Sequence, residues 1–437
     1  MSAFRVEGFY CPSSGESGDL MNNGSLNIGI GFATGRKNFQ KVLKTNIYNW
    51  LESGLTTNRR ISLNLFVAYD LAYQNTKPTD FTKIPRELAS HIDDKYFISS
   101  SVIRGELDRL INLSIITAEE AHLAFGMGYA EKRNAIMYFA IKNKMDYLIF
   151  FDDDEYPMAV TNTRNKAVWS GQQVLSTHLK YISRADITHG HHCGYISPIP
   201  QFDFNEVLTE DTFKSFIEAI SNDIVKWDKV KAVMANGGVT YADTSVLMHD
   251  EAEEVMEVNH SKFISGANLC LNLTDPKRVF PFYNPPGARG EDTFLGTCLR
   301  DRTVIRVPSY TFHDGFSTYQ HLLDGVLPIG LKPILAKDDQ IISRFYRACI
   351  GWARYKPLLI YITEPENYQE RINEITAQLK QSIPAVCKYF QCTEFENISA
   401  ELKKFHKKVA QHYQEFQNTQ QAWAKIMSYL QSNSQQD

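Results

Sequence analysis

Tyr147-Leu148-Ile149-Phe150-Phe151-Asp152-Asp153-Asp154-Glu155 joins five apolar residues directly to four carboxylates. A strand buried on both faces reads as a continuous apolar run, so 147–151 predicts a central strand of a mostly parallel α/β sheet. Ligands of such open sheets bind at the carboxyl ends of the strands, which is where the acids stand. Adjacent carboxylates repel one another, and a divalent cation among them relieves the repulsion. Oxygen ligands suit Mg²⁺ or Mn²⁺, which commonly take one or two carboxylates plus substrate phosphate oxygens. The plainer alternative is an acidic loop capping the next segment, but solvated acidic loops seldom follow five apolar residues without a spacer.

The flanking sequence supports the α/β reading. Upstream, Leu26–Ala33 alternates and runs into Thr34-Gly35-Arg36, after which Phe39, Val42, Leu43 and Trp50 recur at helical spacing. Ile61–Tyr69 is a second strand ending at Asp70, which completes a plausible βαβ unit. Tyr129–Met145 predicts a helix that carries Arg133 and Asn134 near its start. Downstream, the pattern predicts a helix over 164–182, a strand over 185–190, a helix over 213–230 and a strand over 263–273. A Pro/Gly-rich loop at 280–290 then leads to a helix opening at Glu291-Asp292, followed by strands Val304–Val307 and Tyr310–His313.

Residues 1–25, rich in Gly, Ser and Asn, predict an irregular arm. Residues 26–330 form the α/β domain, with 200–262 as an insertion over a site. From 331 to 437 the chain turns helical. Leu402, Phe405, Val409, Tyr413, Phe416, Trp423, Ile426 and Leu430 form an apolar stripe on one long helix, with Ser399 as its N-cap. That stripe must bury against the same chain or against a partner, which would make an oligomer.

Composition narrows the function. The 437 residues carry a net charge of −4, with 43% hydrophobic and 22% charged residues, as in ordinary globular proteins. Such a balance argues against nucleic acid held by the bulk surface. No run approaches the roughly 18 apolar residues of a membrane span. The N-terminus lacks a basic stretch followed by an apolar one, so no secretory signal is read and a cytoplasmic location is expected. Seven scattered cysteines without a C-x-x-C pair read as buried thiols. His189, His191, His192 and Cys193 invite a zinc reading, but strand alternation puts only His189 and His191 on one face, and no second cluster completes four ligands.

Two further motifs bear on chemistry. Glu291-Asp292 follows a Gly-rich turn, where acids also stabilise a helix N-terminus by roughly 0.3–1 kcal/mol. His313 follows a strand and is a metal ligand or a polar filler. Taken together, the turn at Thr34–Arg36, Asp70, Arg133-Asn134-Ala135, Asp152-Asp153-Asp154, Ser265-Gly266-Ala267, Glu291-Asp292 and His313 occur in an order that resembles the GT-A fold glycosyltransferases, in particular the family 2-like group. The resemblance covers residues 26–315. It implies a Rossmann-like, mostly parallel sheet with flanking helices, to which this chain adds a C-terminal α-helical region.

The resemblance also implies a metal-dependent transfer of a sugar from a nucleotide-diphosphate sugar, UDP-sugar by default, to a hydroxyl of a glycan, protein or small-molecule acceptor. Asp154 and His313 would hold Mn²⁺ or Mg²⁺, with Asp152 facing the ribose or the metal's waters. Phe32, Ala33, Thr34, Arg36, Asp70, Arg133, Asp153, Gly266 and Ala267 would line the donor. Asp292 would be the general base, oriented by Glu291, and the reaction would invert the anomeric carbon. Alternatives are a retaining transferase, a sugar-nucleotidyltransferase, a haloacid dehalogenase-like phosphohydrolase, or a binding module without catalysis.

Overall fold

The sheet is built outward from the quoted run. In the computed structural model, which describes residues 25–434 except 127, 222–225 and 320–325, strand β1 (Leu26–Thr34) is an inner strand of it. β1 is followed by α1 (Phe39–Glu52), β2 (Ile61–Tyr69) and β3 (Asp94–Ile98). The helix α2 (Tyr129–Lys142) then leads into β4 (Tyr147–Phe150), whose four residues are all buried. The arm expected at 1–25 lies outside the described residues except for Ser25.

Beyond the acids come the short β5 (Glu155–Tyr156), the hairpin β6 (Met158–Thr163) and β7 (Lys166–Gly171), and α3 (Val174–Tyr181). Strand β8 (Ile187–Gly194), helix α4 (Glu210–Ile220), and strands β9 (Glu253–Glu254) and β10 (Leu269–Asn272) follow. Helix α5 (Glu291–Thr297) and strand β11 (Val304–His313) complete the sheet region. The main sheet runs β3-β2-β1-β4-β10-β8-β11-β5, with β9 on the side of β11. Strands β3, β2, β1 and β4 are mutually parallel, as are β8 and β11, while β10 runs against both of its neighbours. This is the mixed, mostly parallel α/β plan expected from sequence, with a helical C-terminal region.

Two features of this topology position the site. Chain order reverses at β1, which has β2 on one side and β4 on the other, so a crevice opens between the carboxyl ends of β1 and β4. Immediately after the acids, β5 crosses to pair antiparallel with the end of β11, matching Glu155 with His313 and Tyr156 with Phe312. Residues far apart in sequence, the acid run and His313, are thereby brought side by side. Gly31 keeps α2 close to the sheet, because a Cβ there would fall 2.9 Å from Ile136 and 3.0 Å from Phe150.

Several elements differ from the sequence expectation. The helix predicted over 164–182 is a hairpin followed by α3; Arg164 and Asn165 turn the hairpin at φ of 50° and 61°, the left-handed pair that two-residue hairpins require. The 263–273 strand shrinks to β10, because Asn268 at φ 50° breaks the extended backbone. The 213–230 helix divides into α4 and a second helix at Trp227–Ala235. The tail forms α6 (Asp339–Thr363), α7 (Tyr368–Phe390), α8 (Asn397–Lys407) and α9 (Val409–Ser434). Ser399 is thus inside α8 and caps nothing.

The apolar stripe of the tail is covered within the chain. Trp423, Ile426, Met427 and Leu430 bury in the core beneath α2 and β4, and Leu402, Val409 and Phe416 join a second core. That second core also takes Phe213, Phe216 and Ile217 of α4, so the first half of the 200–262 stretch belongs with the helices.

Candidate active site

The β1 crevice gathers a cation and the acid run. Thr34, the last residue of β1, donates its hydroxyl to Asp153 Oδ2, and Arg36 Nη1 bonds Asp153 Oδ1 at 2.9 Å while also contacting Asp154. Burial raises Asp153 above the usual carboxylate range, with Arg36 opposing. Phe32 packs on Phe39 and Phe151 and Ala33 lies in the core, so a ligand here meets their backbone rather than their side chains. Asp70, at the end of β2, pairs with Lys132 of α2 at 3.2 Å.

Asp154 faces His313. Its Oδ2 lies 3.4 Å from His313 Nε2. Burial works against the charge on Asp154, but His313 and Arg36 outweigh it and hold the carboxyl well below its usual range. Burial likewise opposes charge on His313, yet Asp154 and Glu155 lift it to about 9. His313 Nδ1 sits 2.8 Å from the carbonyl of Tyr195, so it donates there and leaves Nε2 directed at Asp154. A hydrogen-bonded second ring nitrogen is how metal-binding imidazoles are oriented. Among the described residues no three His, Cys, Asp or Glu side chains gather as a cage. Asp154 and His313, which face each other at 3.4 Å, are the residues that would hold an ion completed by phosphate and water.

Asp152 turns the other way. Arg133 Nη2 donates to its Oδ1 at 3.0 Å, and the buried surroundings push Asp152 up to about 7, Arg133 opposing and Glu155, Asp154 and Asp153 adding. Arg133 also reaches the carbonyl of Gly266 and stands 3.9 Å from Glu291. Its guanidinium lies over the rings of Phe150 and Phe282. The neighbouring Asn134 donates to the carbonyls of Ala124 and Phe282 and accepts from the Phe282 N–H, which ties α2 to the loop before α5.

Glu291 and Asp292 open α5 behind a left-handed Gly290 at φ 97°. A Cβ on Gly266 would stand 3.5 Å from both Asp292 Oδ2 and Arg133 Nη2, so the three residues share one corner. Burial and the charge of Glu291 push Asp292 up to about 6, with the Thr293 N–H and Arg133 opposing. Ala267, next along, is buried.

Thr311 and Arg344 were not singled out from sequence, and the contacts that join Glu155, His192 and Ser265 were not legible there. Glu155 lies 3.1 Å from His192 Nδ1 and accepts from the Thr311 hydroxyl at 2.8 Å, that hydroxyl oxygen is itself 3.0 Å from His192 Nδ1, and Ser265 bonds the far side of His192 at 2.7 Å. Arg344 of α6 contacts the carbonyl of Gly315 and stacks on Phe316. The alternation reading of the histidines fails: a register shift between Arg306 and Tyr310 re-aims β8, so His191 packs on Tyr310, whereas His189 lies by Phe263 and His192 faces Ser265. His192 falls where two irregular strands meet, and no periodic signal marks it.

No family model matches the chain, and no curated protein matches it in sequence. Among solved structures it is similar to Staphylococcus aureus TarS 1–349 in complex with UDP-GlcNAc, at 11% identity and a TM-score of 0.29, over 89% of this chain and 92% of that one. Mouse xyloside xylosyltransferase 1, apo form, is similar at 12% identity and a TM-score of 0.20, over 44% of this chain and 58% of that one.

Proposed function

We propose that the chain is a glycosyltransferase that moves a sugar from a nucleotide-diphosphate sugar, UDP-sugar by preference, to an acceptor hydroxyl with inversion. One observation carries the reading: Asp154, His313 and Arg36 form one cluster at the acid run, and Asp292, Arg133 and Gly266 form a second that Arg133 joins to the same run through Asp152. The first set suits a diphosphate and the second a reacting sugar.

Asp154 and His313 would hold Mn²⁺ or Mg²⁺, which supplies Lewis-acid stabilisation of the leaving diphosphate. Arg36 lies against the acid run and neutralises phosphate charge once a donor engages it. Asp70, at the end of β2, suits the base or ribose. Asp292 removes the acceptor proton: a carboxylate raised to about 6 is ionised at neutral pH yet more basic than an exposed one. Burial and the charge of Glu291 maintain that shift, and Arg133 fixes the Gly266 backbone beside it.

Release of nucleotide diphosphate from UDP- and GDP-sugars with Mn²⁺, with and without candidate acceptors, tests the proposal. Asp154→Asn should lower turnover at least about 100-fold with the circular dichroism spectrum unchanged. Full activity in that variant overturns the metal assignment. NMR of the first-formed product should show the inverted anomer; a retained one removes Asp292 from the base role.

A further inference from the structure

Ser265, His192, Glu155 and Thr311 form a relay that ends one residue from the corner where Arg133 and Asp292 meet Gly266. Glu155 is 5% exposed, and both of its oxygens are engaged: Oε2 accepts from the Thr311 hydroxyl at 2.8 Å and Oε1 lies 3.1 Å from His192 Nδ1. Ser265, by contrast, is half-buried, with its hydroxyl 2.7 Å from His192 Nε2. Thr311 spends its one proton on Glu155, so its oxygen, 3.0 Å from His192 Nδ1, can only accept there, as can the nearby carboxylate oxygen; the proton of a neutral His192 ring therefore belongs on Nδ1. Nε2 is then an acceptor, and the Ser265 proton must point to it. The serine oxygen has donated its one hydrogen inward and keeps only lone pairs for the open side.

We propose that Ser265 is a specificity residue for the sugar, a hydrogen-bond acceptor of fixed polarity that selects a substrate hydroxyl able to donate, with His192 and Glu155 as positioning residues behind it. This deepens the transfer reading and rests on it. An ordinary serine rotates its hydroxyl and accepts either a donor or an acceptor; this one is committed by its neighbours. A ring hydroxyl of the bound sugar satisfies it. A fluoro, deoxy or O-methyl substituent at the same position does not, because none of these can donate.

The test is calorimetric titration at about pH 8 with Mn²⁺ present. The probes are UDP, GDP, UDP-glucose, UDP-galactose, UDP-N-acetylglucosamine and GDP-mannose, followed by the monofluorinated forms of the tightest sugar nucleotide. One fluorinated position should bind the parent protein about tenfold more weakly than the hydroxyl form. In Ser265→Ala the same replacement should change affinity less than twofold. Glu155→Gln removes the acceptor-only carboxylate that holds the ring proton on Nδ1, which should free the Ser265 hydroxyl to turn and relax the discrimination with Ser265 still present.

If every fluorinated form loses equally in the parent and in Ser265→Ala, the polarity proposal is overturned while the transfer reading stands. If neither the nucleotides nor the sugar nucleotides bind, both are overturned.

Discussion

Asp292 shows how one side chain joins function to instability. Its carboxyl prefers the protonated form in the folded chain, so its favourable contribution is complete below the unfolded value near 3.8 and is lost as pH rises through about 6. Asp292→Asn stays neutral throughout. The variant should therefore be more stable than the parent at pH 8 by about 1–2 kcal/mol, after allowance for solvent screening, while losing roughly 100- to 10,000-fold in turnover. Urea titrations alongside product assays check both; a variant that loses activity and stability together would point to a structural role. As the base works ionised, kcat/KM of the parent should rise with pH through about 6 and level off above it. A rate that falls across that interval would contradict the assignment. Asp292 and Asp154 were legible as residue types in sequence motifs. The partners that set their charge, Arg133 and Glu291 for one, His313 and Arg36 for the other, were legible only as names without distances.

At the scale of elements, α2 is the part that ties the site together. Lys132, Arg133 and Asn134 are consecutive and serve three directions: Asp70 just after β2, Asp152 after β4, and the loop at Phe282 before α5. Asn134→Ala would leave the buried N–H and C=O of Phe282 without their partner, so it should cost about 2–3 kcal/mol. It should also loosen the approach to Glu291 and Asp292. Denaturant midpoints give the first effect, and turnover lowered more than donor affinity gives the second. Strand boundaries at β1 and β2 were legible because long apolar or alternating runs outvote local propensity. The hairpin at β6 and β7 was not, since its turn is Arg164-Asn165 without the glycine that ordinarily signals such turns. The break between α8 and α9 carries no proline or glycine, and periodicity alone therefore ran through it.

Across the whole molecule, the helical tail is part of the α/β body. Trp423 of α9 is 2% exposed and donates to the carbonyl of Val279, just before the loop that leads to α5. Trp423→Ala should cost about 3–5 kcal/mol and lower the Tm, because it opens the core shared with α2 and β4. An unchanged melting curve would show the tail to be a separate unit. The sequence by itself determined the α/β class, the buried central strand and the carboxylates at its end, because burial on two faces and the carboxyl-edge rule act through local pattern. It also marked the tail as an amphipathic stretch needing cover. Only the tertiary structure decided what covers it, and that β5 crosses to β11 so that Asp154 meets His313. The pairing of Ser265 with His192 and Glu155 was likewise decided there, because side chains from separate strands acquire their charge and hydrogen-bond polarity only when topology and register bring them within a few ångströms.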